Sequence, residues 1–178
     1  MNYQAIIDRY YPDDNELRHI LMVHSQSVTA RALRIVDAHP ELRLDRRFVE
    51  EAAMLHDIGI FRCHAPSIAC HGTEPYICHG RIGAELLRAE GCERHARVCE
   101  RHTGAGLTTR EIVAQGLPLP PMDFLPETME EKLICYADKF YSKSNLAREK
   151  TLAQAERSLA GFGADGLARF QAWERLFE

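Results

Sequence analysis

An adjacent histidine and aspartate, His56 and Asp57, close an apolar stretch that runs from Ala52 to Gly59. Val49, Ala52, Ala53 and His56 recur at i, i+3, i+4 and i+7, so a helix puts them on one core-facing stripe with His56 at its end. An acidic residue in a last helical turn opposes the macrodipole, and a cation beside Asp57 offsets that. The other reading is a core histidine bonded to a carbonyl, with Asp57 exposed. Two more polar residues fall in phase with apolar faces: His24 among Leu17, Ile20, Leu21, Val28, Ala32 and Ile35, and Asp138 among Ile134, Cys135 and Tyr141. Burying an ionised carboxylate without a partner costs roughly several kcal/mol, so Asp138 calls for a cation. Lys139 is the neighbouring candidate, but on an ideal helix it points about 100° away. Imidazole and carboxylate together suit iron, manganese, zinc or a similar divalent ion.

Helices must carry these residues. A short N-terminal helix leads into a turn and N-cap at Tyr11, Pro12, Asp13 and Asp14, then a long helix to about Ala38, stopped by Pro40. The His56 helix begins near Asp45, with Gly59 as its left-handed cap. Pro66, Gly72 and Pro75 break the periodicity of residues 61–76, which read as a surface loop. A helix from about 79 to 90 follows, with His79 at its entrance and Ile82, Gly83, Leu86 and Leu87 on its buried face. His95, Val98, Cys99 and His102 share the next helix, which ends before Thr103-Gly104-Ala105-Gly106. Thr108 with Glu111 and Thr128 with Glu131 have capping-box spacing. Residues 151–178 read as two helices split at 161–163, holding no histidine or cysteine, and suit packing or dimerisation. No strand pattern emerges, so the expected class is all-α.

The 178 residues fit one domain with one sizeable core. Hydrophobic content of 46% and charged content of 27% match an ordinary soluble protein. A net charge of -4 gives no support for a nucleic-acid surface. With no basic n-region and no long apolar run, no membrane association is expected and the location is read as cytoplasmic. Six cysteines in a reducing compartment are thiols or metal ligands.

The order His24, then His56-Asp57-Ile58-Gly59, then Asp138 resembles the H...HD...D pattern of the HD superfamily of metal-dependent phosphohydrolases, over residues 17–141. The resemblance implies an HD-domain-like helical bundle, with its core at about 14–145 and a C-terminal helical extension at 146–178. It implies that His24, His56, Asp57 and Asp138 hold one divalent ion. His79-Gly80-Arg81-Ile82-Gly83-Ala84-Glu85-Leu86-Leu87 and Arg101-His102-Thr103-Gly104 are similar to segments of the bacterial di-iron diadenosine tetraphosphate hydrolases. That likeness implies a second ion on His79 and His102, with Asp57 bridging. Iron or manganese is expected first, with zinc, nickel, cobalt or magnesium accepted by the same ligand types. Ile60 stands where the cyclic-dinucleotide phosphodiesterases of the superfamily commonly have lysine, their Gly-Tyr-Pro signature is absent, and residues 62–78 look inserted.

Two ions about 3.5 to 4 Å apart can share a hydroxide and polarise a phosphoryl oxygen, the arrangement for in-line attack on phosphorus. Lys139, Arg101 and Thr103 are then expected at the substrate phosphate beside Asp57, while Arg81 also fits a solvent-facing salt bridge. The expected activity is hydrolysis of a phosphoester or phosphoanhydride bond in a nucleotide-like small molecule. Two other readings are a mononuclear nucleotide phosphatase, with His79 and His102 on the substrate, and a non-catalytic nucleotide sensor. Cys63-His64, Cys70-His71 and Cys78-His79 invite a structural zinc, but their spacings match no common zinc motif. The loop is instead expected to cover the metal site, with His64 and His71 towards substrate. A homodimer through the C-terminal helices is a further expectation.

Overall fold

Residues 1–146 and 148–178 are described by a computed structural model, and among them nine α-helices appear. They are α1 (Tyr3–Tyr10), α2 (Glu16–Ala38), α3 (Arg46–Leu55), α4 (His79–Ala89), α5 (Glu93–Arg101), α6 (Thr109–Gln115), α7 (Met129–Asp138), α8 (Leu152–Ala160) and α9 (Ala164–Phe177). Side-chain caps set several starts: Asn2 accepts from Ala5 N, Asn15 from Arg18 N and Asp45 from Phe48 N. The cap of α2 is therefore Asn15, just past the turn at 11–14. Both expected capping boxes form, Thr108 with Glu111 and Thr128 with Glu131.

The 23-residue α2 is the spine. It packs on α3 and α7, α5 lies across α3 and α7, and α4 pairs with α5. Apolar faces meet in two main clusters on either side of the polar residues of interest. One gathers Val28, Val49, Leu133, Tyr136, Phe140, Phe170 and Phe177. The other gathers Ile7, Leu21, Leu55, Ile58, Leu87 and Cys99. Each Val, Leu, Ile or Phe among them stabilises the fold by about 1.5–3 kcal/mol relative to exposure. The C-terminal helices belong to the first cluster: Tyr136 stacks on Phe170 at 4.8 Å, and the Arg31 guanidinium sits 3.5 Å from the Phe140 ring centre.

The segment 61–76 departs from a plain surface loop. His64–Ala65 (β1) and Cys70–His71 (β2) pair antiparallel, short 3-10 turns flank them, and Cys63, Ile68 and Cys70 are buried. Strands of two residues are too short to show a period of two in the sequence. The class remains all-α, with this one small hairpin.

Candidate metal centre

Helix ends converge where the two apolar clusters meet. His56 follows the last residue of α3, His79 is the first residue of α4, His102 follows α5, and Asp138 ends α7, while His24 projects from the middle of α2. All six expected ligands, Asp57 included, are buried. Their donor atoms form two groups: His24, His56, Asp57 and Asp138 in one, Asp57, His79 and His102 in the other.

Asp57 joins the groups through separate oxygens. Its Oδ2 lies 3.1 Å from His24 Nε2 and 3.0 Å from His56 Nε2. Its Oδ1 lies 3.4 Å from both His79 Nε2 and His102 Nε2. Asp138 Oδ1 completes the first group at 3.0 Å from His24 Nε2 and 3.5 Å from His56 Nε2.

The ring orientations are held from behind. Nδ1 of His56, His79 and His102 each donates to the carbonyl three residues earlier, on Ala53, Tyr76 and Cys99, at 2.6, 2.6 and 2.7 Å. A carbonyl can only accept, so Nδ1 carries the proton and Nε2 of each ring is turned to the centre, as a free lone pair on the neutral rings of His79 and His102. His79 Nε2 and His102 Nε2 then face each other at 3.1 Å with nothing to share. Burial pushes His79 down to about 3 and lowers His102, so neither ring takes a second proton to relieve the contact. His24 Nδ1 and Nε2, His56 Nε2 and both Asp57 oxygens are buried without a hydrogen bond of acceptable geometry among the described residues. A buried polar atom left without a partner costs about 1–3 kcal/mol, and Asp57 Oδ1 is such an atom, whereas a lysine, Lys143, stands beside Oδ2. Facing lone pairs and an orphaned carboxylate oxygen in one place fit divalent cations, and the donor set is the one such ions take.

Charges complete the centre. Burial alone would raise Asp57, but His56 and Lys143 hold it well below the usual carboxylate range. Asp138 behaves alike, with Lys139 as its strongest partner. Lys139 Nζ lies 2.7 Å from Asp138 Oδ2 and also donates to His102 O. The angle of an ideal helix had set Lys139 apart from Asp138; its four-carbon stem spans that angle. Sequence reasoning missed Lys143, whose Nζ is 2.5 Å from Asp57 Oδ2. It lies in a turn, off any periodic face, and a second lysine soon after Asp138 was the sole sign of it.

Other expected residues sit elsewhere. Arg101 turns away to Glu127 at 2.5 Å and to Leu125 O, which makes it a structural ion pair rather than a phosphate contact. Thr103 is half-buried beside Gly80 at the start of α4. Arg81 pairs with Glu85 one turn on. His64 and His71 oppose each other across the hairpin, exposed and in neither donor group. Apart from His79, no donor of the Cys-His dipeptides joins a metal-type cluster among the described residues, so the structural-zinc reading loses its support.

Gly59 has a different role from the expected left-handed cap, for its φ is -86°. A Cβ there would stand 2.3 Å from His79 O and 2.5 Å from Gly83 N. Gly80 likewise leaves room for Cys99 O, which a Cβ would meet at 2.4 Å. Close backbone approach is what brings α4 and α5, with His79 and His102, up against the His56 turn.

The HD domain family's sequence model matches residues 21–142, from α2 to just past α7. The chain belongs to the HD domain family. A tRNA (cytidine(56)-2'-O)-methyltransferase of Picrophilus torridus is 35% identical over 162 residues, 85% of this chain and 42% of that protein. An uncharacterised protein of Methanocaldococcus jannaschii is 38% identical over 126 residues, 70% of this chain and 65% of that one. A methyltransferase of the same name from Thermoplasma volcanium is 33% identical over 68% of this chain and 32% of its own length. The chain thus spans less than two thirds of each of these relatives. In fold it is similar to the HD domain of the Listeria monocytogenes phosphodiesterase PgpH, with a TM-score of 0.54 and 13% identity over 96% of this chain and 94% of that one. This HD chain therefore has the all-α bundle of its family and a His/Asp cluster able to hold metal. Among the described residues no helix is long and apolar enough to cross a membrane.

The two donor groups differ in protonation, which makes ion uptake pH-dependent. Burial by itself lowers His56, but Asp57 and Asp138 outweigh it and hold the ring up to about 9. At pH 7 the metal-free centre therefore carries a proton on His56, which an ion must displace, whereas His79 and His102 are already neutral. Binding at the first group should release about one proton and strengthen roughly tenfold per pH unit up to about pH 9, while the second group shows no such slope. Calorimetry of metal uptake in buffers of different ionisation enthalpy reads this directly, and uptake with no proton released at pH 7 would refute the assignment.

Proposed function

We propose that this HD protein is a two-metal phosphohydrolase that cleaves a phosphoester or phosphoanhydride bond in a nucleotide-like small molecule. The observation that carries the reading is the split carboxylate of Asp57, one oxygen towards His24 and His56 and the other towards His79 and His102. His24, His56, Asp57 and Asp138 would hold one ion and Asp57, His79 and His102 the other, with iron or manganese as the first candidates. Bound there, divalent ions would supply a water of near-neutral pKa and would draw charge from phosphoryl oxygens.

The chain's own residues do the rest. A phosphate brings further negative charge to a centre where Asp57 and Asp138 are already ionised. Lys139 and Lys143 offset it: burial opposes their charge, but Asp138 and Asp57 keep both protonated. Tyr76 stacks on His79 at 4.7 Å and its ring centre lies 5.9 Å from Lys143 Nζ, so one aromatic fixes both the ligand ring and the lysine. Asp57, Lys139 and Lys143 stand at the reacting phosphate, and Thr103 shapes the wall beside Gly80. Methyl transfer has no place in this reading, because that name belongs to relatives of which the chain spans 42% or less.

The test is a panel of phosphomonoesters, phosphodiesters and nucleoside polyphosphates, with iron, manganese or cobalt supplied under reducing conditions. Phosphate release that stops on chelation and returns with metal is expected. Nucleotide binding with no release from any substrate would make this HD protein a sensor instead. His79→Ala should cut the metal count from about two to about one per chain; a variant that already matches the wild type at one ion favours the mononuclear phosphatase.

A further inference from the structure

Beyond the metal centre, the turn that carries Lys143 has a second face. Ser142 and Asn145, which flank it, line an open groove of about 470 Å³ together with Arg148, Lys150, Gln154, Arg157 and Ser158. That volume lies within the range of small-molecule sites. Every ionisable side chain in the lining is cationic, in a chain whose net charge is -4. Among the described residues none of the three cations makes an ion pair: Glu149, the adjacent acid, turns to Arg31 and Arg34, and Glu156 accepts from Gln171. Unopposed cations around a concave surface collect an anion.

The groove adjoins the centre. Lys150 N donates to Phe140 O, two residues past Asp138, and Ser142 bridges to Asn145 around the lysine that reaches Asp57. Lys150 also lies close enough to feel the charges of Asp138 and Lys139. One short turn therefore presents Lys143 to the metal ligands and its flanking residues to the groove.

We propose that the groove is a subsite for a second phosphate group of the substrate, on the same small molecule whose first phosphate lies at the metal centre. The assignment rests on the phosphohydrolase reading and narrows it: the substrate is a nucleotide with phosphates at two separate positions or along an extended chain. Arg148 and Arg157, planar and donor-rich, grip the remote phosphate, and Lys150 adds a point charge between the two sites.

Calorimetry on the metal-loaded full chain, with the non-hydrolysable phosphonate analogues of adenosine 3',5'-bisphosphate and adenosine 5'-monophosphate as probes, tests this without turnover. The bisphosphate should bind the wild type at least about tenfold more tightly. The double variant Arg148→Ala/Arg157→Ala, at two exposed positions where truncation leaves no cavity, should erase most of that advantage. Equal affinities in the wild type, or an advantage that survives in the double variant, would overturn the proposal. So would a double variant that loses affinity for tRNA while keeping the bisphosphate, since the groove would then be an RNA surface. A wild type that releases no phosphate in the panel, yet shows the arginine-dependent preference, would refute the hydrolase reading and leave the subsite standing.

Discussion

Asp57→Asn is expected to lower phosphate release by about a thousandfold or more and to empty both donor groups of metal. Lewis-acid stabilisation of a phosphoryl transition state amounts to several kcal/mol, and each 1.4 kcal/mol or so is a factor of ten in rate. An amide keeps the shape of the carboxylate but presents one oxygen in place of two, and that oxygen carries no full charge to bridge cations. The substitution also strips Lys143 of its ionic partner, and breaking a buried pair on one side costs about 3–5 kcal/mol. A lower melting temperature is therefore expected as well, and the two effects must be separated. Asp57→Asn/Lys143→Met removes the stranded charge, so stability should return while metal binding and activity do not. Activity regained in the double variant would contradict the role given to Asp57.

Gly59→Ala is the second large effect. The added methyl meets the backbone of α4 on two sides, at His79 O and Gly83 N, where no side chain can swing aside. Overpacking of this kind costs about 1–3 kcal/mol and occasionally more. At about 2–4 °C per kcal/mol for a chain of this size, a melting temperature lower by about 2–12 °C is expected. Because His79 opens α4, relief of the clash moves a ligand, and the second donor group should weaken more than the first. A variant with wild-type stability and full metal content would show that the close approach at Gly59 is dispensable. A left-handed cap, the sequence-based expectation for this glycine, predicts strain at Gly59 alone and no selective loss at His79.

The contrast at Gly59 shows what the sequence could and could not convey. Periodicity placed His24, His56 and Asp138 on buried faces because a helix imposes a fixed angle per residue, and all three are buried where that angle puts them. Capping chemistry at Thr108 and Thr128 was equally legible, since the cap and its amide lie within three residues. Contacts made by long flexible side chains across turns obey no period, and so Lys143 went unseen and Lys139 was set too far from Asp138. Arg101 shows the converse, for adjacency to His102 does not determine which way a guanidinium turns when Glu127 offers a partner from another element. The hairpin at β1 and β2 was hidden because its pairing depends on the packing of buried Cys63, Ile68 and Cys70 rather than on strand propensity.

Metal content of the purified chain, measured per polypeptide by elemental analysis after reconstitution under reducing conditions, tests the central claim most directly. The account predicts about two divalent ions per chain in the wild type and about one in His102→Ala. A folded wild-type chain that retains no ion would contradict it.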